Sequence, residues 1–342
     1  MTSSTAADQL PGRPARRERR GATMPVVVAL HVVGIGGLAA ALLVDGGAGA
    51  ITLAMGPAAY ALGLRHAFDA DHIATIDNTT RRLVRADRDA RGVGLWFSLG
   101  HSTVVLGAAL LLALGVHALA PMLDDESSPL RTATGIWGPL VSGTFLLAIA
   151  VVNIVMLRRA VRGHTHQHPG GPVTWVLRRF EWSTDKPARM YVVGLLFGLG
   201  FDTATEIGLL AITTSAALGQ VAWYSALPLA VLFAAGMSLL DSAQGAVARR
   251  VYARAGTGGT RSAGADPAST LVRYDVVVTG VSALAALGIG SVTLVQVAVE
   301  HAPWLGWMPG AAVGLEPYGV VLTVVLLAIW GAGSIAGVRA RR

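Results

Sequence analysis

An all-α integral membrane protein with eight transmembrane helices is the architecture this chain predicts, on three observations. The composition is 53% hydrophobic and only 14% charged, with a mean hydropathy of +0.56, whereas soluble domains carry about 25% charged residues. The apolar residues gather into eight runs of the length a membrane helix needs, about 20 residues: 25–44, 54–76, 93–118, 136–157, 190–217, 226–247, 275–299 and 317–338. The basic residues fall in every second connection. Of 27 Lys and Arg, five precede the first span, five lie at 81–91, seven at 158–189, five at 249–273 and three at 339–342. The positive-inside bias then places both termini and these loops in the cytoplasm. Charge used this way is an orientation signal and argues against a nucleic-acid partner. The absence of cysteine excludes a disulfide framework, a thiolate metal site and a cysteine nucleophile.

Taken in order, residues 1–22 read as a disordered basic cytoplasmic tail, and 23–342 as one polytopic domain. Its cytoplasmic loops are expected at about 77–92, 158–189 and 248–274. The first apolar run outlasts the roughly 7–15 residues of a signal-peptide core, so it reads as a retained helix despite the small residues Ala48-Gly49-Ala50. That span carries His31. Asn153 in the fourth span reads as a bridge between helices. Asp77 and Asn78 read as a helix terminus at the cytoplasmic border, and Asp275 as a cap opening the seventh span. His164, His166 and His168 fall in a basic loop and read as solvated; 255–270 reads as a flexible linker. The abundant glycines suit close helix packing.

Ionisable groups inside the bilayer cost about 2.5–3.5 kcal/mol each at a helix centre, yet this chain has many. The second span holds Arg65-His66-Ala67-Phe68-Asp69-Ala70-Asp71-His72, and the third Ser98-Leu99-Gly100-His101-Ser102. The fifth holds Asp202-Thr203-Ala204-Thr205-Glu206, and the sixth Ser238-Leu239-Leu240-Asp241-Ser242. Such groups must face one another, water or an ion. On a straight helix His66, Asp69 and His72 share a face while Asp71 points elsewhere, and the two histidines stand about 9 Å apart along the axis. Either the helix is unwound there or only one histidine ligates at a time. Asp202 and Glu206 are i,i+4 neighbours beside Thr205. Arg65 reads as balancing the acidic cluster; Asp241 reads either as a site member or as a partner of Arg65 or His101. Imidazole with carboxylate, and no thiolate, suits a borderline transition metal such as Ni(II) or Co(II).

These segments resemble the signatures of the nickel/cobalt transporter (NiCoT) family. The His-x4-Asp-His core stands at His66, Asp71 and His72. The segments Phe97–Val105, Leu199–Ile207 and Gly236–Ser242 resemble the family's other three signatures, in order and in the expected spans. The resemblance implies a secondary permease of the cytoplasmic (inner) membrane. It would bring Ni2+ or Co2+ into the cell with high affinity, with no ATPase subunit and no permanent cofactor; the metal is its substrate and the lipid bilayer its surroundings. It also implies that His66, Asp71 and His72 are critical for uptake. Phe at the position of Phe68, accompanied by a first-span histidine such as His31, implies that cobalt is accepted beside nickel. Asp275 departs from the Asn expected there.

The expected metal residues are therefore His66, Asp71, His72, Asp69, His101, His31, Asp202 and Glu206, supported by Arg65, Phe68, Ser98, Ser102, Thr205 and Asp241. Short echoes between the second and fifth spans, and between the third and sixth, fit an inverted repeat, because the offset of three spans is odd. An exporter of the same metals is the alternative reading. An intramembrane hydrolase is more remote, since the chain has no His-Glu-x-x-His string.

Overall fold

The computed structural model of the chain describes residues 23–44, 49–113, 128–161, 185–199, 226–257, 267–310, 312–313, 320–328 and 331. Among them the elements are helical and no strand occurs. The helices are α1 (Thr23–Val44), α2 (Gly49–His66), α3 (Ala70–Arg85), α4 (Val93–Ala113), α5 (Pro129–Val161), α6 (Met190–Gly198), α7 (Ala226–Thr257) and α8 (Pro267–His301). Residues 320–328 are also helical. Five stretches are long and apolar enough to cross a membrane: Thr23–Val44, Val93–Leu111, Gly135–Val155, Leu227–Ala253 and Thr279–His301. They match the first, third, fourth, sixth and seventh expected spans. Much of the fifth and eighth, and the tail 1–22, lie outside the described residues.

The second span differs from the expectation of one helix over 54–76. It is two helices, α2 and α3, joined at Ala67–Asp69. The reason is local. The N–H groups of Phe68 and Asp69 reach back only three residues, to Arg65 and His66 (2.9 and 3.0 Å), so the end of α2 tightens. Asp69 then turns extended (φ −62°, ψ 138°) and α3 restarts behind it, with Ile73 N–H donating to the Asp69 carbonyl.

Three further boundaries need correction. The stretch from residue 77 was expected to be loop, yet α3 runs on to Arg85 and is buried as far as Leu83. Asp77 and Asn78 therefore sit in mid-helix, where side-chain hydrogen bonds stand in for the solvent a terminus would have had. Asp275 lies inside α8 and not at its start. α5 and α7 reach Val161 and Thr257, past the expected starts of their loops at 158 and 248.

α7 is the hub, packing against α1, α2, α3 and α4, while α4 packs on α6 and α5 on α8. Glycine permits the closest of these crossings. A Cβ on Gly100 would strike the carbonyl oxygen of Tyr191, and one on Gly194 that of Phe97. Small residues at such crossings let backbones approach where lipid offers no hydrophobic drive to association. The largest apolar cluster joins Ile73 and Ile76 of α3 to Phe97, Leu146, Phe197 and Ala286.

Candidate metal centre

The interruption in the second span is what assembles the centre. Six residues of straight helix would separate His66 from His72 by about 9 Å, but their ring centroids are 4.6 Å apart. His101 of α4 completes a trio, its ring 4.8 Å from His66 and 5.0 Å from His72. One ring nitrogen from each of the three lies within 4.8 Å of the others. His72 and His101 are buried and His66 is partly so.

Each nitrogen has a defined surrounding. His66 Nδ1 faces the Asp69 carboxylate at 2.7 Å, and its Nε2 meets Nε2 of His101 at 3.0 Å. For a neutral His66 that donates to Asp69, Nε2 carries the lone pair and His101 donates to it. His72 Nδ1 stands 3.9 Å from Asp241, beyond hydrogen-bond length. Nδ1 of His72 and of His101, both Asp241 oxygens and the hydroxyls of Ser102, Ser238 and Ser242 are buried without a hydrogen-bond partner among the described residues. The buried Asp241 carboxylate and the neighbouring Nδ1 of His72, left this way, are costly, and a cation is a group that would engage them. Phe97 packs edge-on against His72 at 4.7 Å, and Phe233 lies 5.8 Å from His66. These rings keep the centre in a low-dielectric setting, where charge interactions are strong.

The other expected residues have different neighbours. Asp69 is on the His66 side of the centre and does not cap α3 through its side chain. Asp71, in the first turn of α3, accepts the backbone N–H of His72 at 2.9 Å. A carboxylate there offsets the partial positive charge of a helix N-terminus, which would otherwise repel a cation. Asp241 pairs with neither Arg65 nor His101 by contact; His72 is its neighbour. His31 donates from Nδ1 to the Val27 carbonyl (2.8 Å) and accepts at Nε2 from the Tyr60 hydroxyl (3.2 Å), so both its nitrogens are engaged outside the trio. Ser98 donates to the Gly94 carbonyl of its own helix. Arg65 and Phe68 are exposed. Asp202, Thr205 and Glu206 lie outside the described residues. Sequence reasoning assigned no role to Phe97 or Phe233. Phe97 stood four residues before His101, one helical turn away, which was the available signal; Phe233 offered none.

A chain of apolar helices enclosing a trio of imidazoles, two of them buried, defines a polytopic protein with a centre suited to a borderline divalent metal. The comparisons with known proteins agree. Residues 52–335 match the family model described as high-affinity nickel-transport protein. The nickel transporter NicT of Mycobacterium tuberculosis is 40% identical over 335 residues, covering 91% of this chain and 87% of that protein. The nickel transporter NixA of Staphylococcus aureus is 35% identical, covering 89% and 90%. The cobalt transport protein NhlF of Rhodococcus rhodochrous is 38% identical, covering 74% and 76%. No solved structure matches. The chain belongs to the high-affinity nickel-transport family, whose members are transporters and not enzymes.

Proposed function

We propose that this protein takes up Ni2+, with Co2+ as a second substrate, across the cytoplasmic membrane, and that His66, His72 and His101 bind the ion in transit. The observation that carries this reading is the trio itself. Two nitrogens bound at about 2.1 Å and at right angles to one metal are about 3.0 Å apart, and His66 Nε2 and His101 Nε2 are separated by 3.0 Å. An ion entering there would replace the hydrogen bond between the two rings, with the His101 proton moving from Nε2 to its own Nδ1 so that both Nε2 lone pairs face the ion. Asp69 holds His66 by its far nitrogen, the arrangement that orients metal-binding histidines elsewhere. Asp71, Asp202 and Glu206 supply negative charge that draws a hydrated dication and balances it once its water is shed; Thr205, Ser98 and Ser102 are polar support.

Eight spans with both termini inside, arranged as an inverted repeat, give the mechanism: two halves rock about a midplane site. The glycine crossings support it. Span two meets span six, and span three meets span five; exchanging two with five and three with six converts one contact into the other. Uptake needs no ATPase subunit, because a membrane potential, negative inside, contributes about 2.3 kcal/mol per charge per 100 mV.

The test is uptake of radioactive nickel at trace concentration in cells producing the parent, His66→Ala or His72→Ala, with membrane abundance matched. Both variants should lose high-affinity uptake. Parental uptake by either would overturn the assignment, and faster nickel loss from preloaded cells producing the parent would reverse the direction in favour of export.

A further inference from the structure

The cytoplasmic half of the second span is an unusual helix. α3 is buried from Ala70 to Leu83 apart from Asp71 and Arg82, and its buried residues include His72, Thr75, Asp77, Asn78, Thr79, Thr80 and Arg81. A buried helix in a membrane protein is ordinarily apolar all round. Two sets of contacts account for most of these polar groups; Thr80, whose hydroxyl is buried without a partner among the described residues, belongs to neither.

The first set is a stripe. His72, Thr75 and Thr79 stand at i, i+3 and i+7 and so share one face, which leads about 10 Å along the axis from the histidine trio. The hydroxyls of Thr75 and Thr79 are buried with no hydrogen-bond partner among the described residues. Threonine in a helix can satisfy itself by donating to the carbonyl four residues back. Thr103, Thr144 and Thr293 of this protein do so, at 2.7, 2.6 and 2.9 Å. Thr75 and Thr79 keep their oxygens unengaged.

The second set is a clamp. Asp77 accepts from the Tyr252 hydroxyl of α7 at 2.6 Å and from the Ser282 hydroxyl of α8 at 3.3 Å. Asn78 accepts from Asn153 of α5 and from Arg81, both at 2.6 Å. Arg85 donates to Thr279 of α8 at 2.7 Å. These bonds tie α3 to three other helices at its C-terminal end, which leads into the basic connection 86–92.

We propose that the Thr75–Thr79 face of α3 lines the release path from the histidine trio to the cytoplasm, and that the Asp77–Tyr252–Ser282 clamp holds this path shut until the ion is to leave. The proposal rests on the uptake reading for its direction; the accessibility of the path does not depend on metal. The trio is then closed on the cytoplasmic side in this structure. Tyr252, Ser282 and Asn153 join transport as residues that hold a gate and never touch the ion.

The chain lacks cysteine, so a single Thr79→Cys change in the full-length protein reports the path directly. Membrane vesicles of each orientation, without nickel, are exposed to a membrane-impermeant cationic thiol reagent. Thr79→Cys alone should be protected from both faces. Adding Tyr252→Phe, or separately Ser282→Ala, should raise modification from the cytoplasmic face about ten-fold or more, the shift expected when a buried carboxylate loses a hydrogen bond. Either double variant suffices, so failure of one to insert leaves the other as the test. Unchanged modification in the inserted variants, or modification from the outer face only, would overturn the proposal. Repeating the labelling with His66→Ala separates the two readings. A clamp that opens normally there while nickel uptake is absent upholds the path; a clamp left unopened by Tyr252→Phe and Ser282→Ala, with nickel uptake lost only when His66 is replaced, refutes the path and spares the uptake reading.

Discussion

His66 has a different partner on each ring nitrogen, and that division predicts how its neighbours respond to substitution. With Asp69 on Nδ1 and His101 on Nε2, the carboxylate leaves Nε2 as the nitrogen that would face the proposed metal. Asp69→Asn can still hydrogen-bond but no longer accepts through a charged oxygen. Nickel affinity should fall about 10–100-fold, the usual cost of losing an outer carboxylate, while the protein remains in the membrane; metal titration of the purified variant checks it. Phe68 sits in the turn between α2 and α3 with 37% of its surface exposed. In the nickel/cobalt transporter family Phe at this position goes with cobalt acceptance, so Phe68→Val should lower the cobalt-to-nickel uptake ratio while nickel uptake is retained. A competition assay across both metals reads that ratio. That His66 and Asp69 would lie close was legible as a shared face on a straight helix, though the contact forms across the turn between α2 and α3. The contact of Asp241 with His72 was not, since the register between α7 and α3 is set by packing that no local pattern encodes.

The helices owe their placement to where side chains are missing. Gly100 and Gly194 form a reciprocal crossing between α4 and α6, each leaving room for a carbonyl of the other helix. Gly194→Ala pushes a methyl group against the Phe97 carbonyl, and overpacking of this kind costs ~1–3 kcal/mol. It also shifts the stretch of α4 that carries His101. Gly107 lies on the same α4, with nothing within 4 Å of an added Cβ, and alanine there should stabilise the helix by about 0.5–1 kcal/mol. Thermal unfolding in detergent should therefore move in opposite directions for the two substitutions. Apolar length and loop charge made the helices legible in the sequence, and glycine content showed that they would pack closely. The interruption at Ala67–Asp69 was less so. No proline or glycine stands between His66 and His72, and the only hint was that six residues is too long a step for two histidines to meet on an unbroken helix. The long buried course of α3 was hidden for a related reason. Its charges look like a solvated border until Tyr252, Ser282 and Asn153 are brought against them from helices distant in sequence.

Across the whole molecule, charge decides orientation and, with it, the energy available for transport. On the proposed topology the arginine-rich connections face the cytoplasm. A dication crossing toward that side would move two charges through the potential. At about 2.3 kcal/mol per charge per 100 mV, that is about 4.6 kcal/mol, or a little over three powers of ten in accumulation at 1.4 kcal/mol per ten-fold change. If the ion crosses alone, nickel accumulation in vesicles should follow an imposed potassium diffusion potential, collapse when the potential is clamped to zero, and be indifferent to a pH gradient. If protons return through the histidine trio as each ion leaves, the charge moved per cycle is smaller and a pH gradient alone should sustain uptake. Reconstituted protein in vesicles with potential and pH gradient set independently separates these outcomes. The unaccompanied ion is the expectation here. Three clustered imidazoles and their carboxylates release a dication when the pathway opens to water on the basic side, and a negative interior already supplies a sufficient drive.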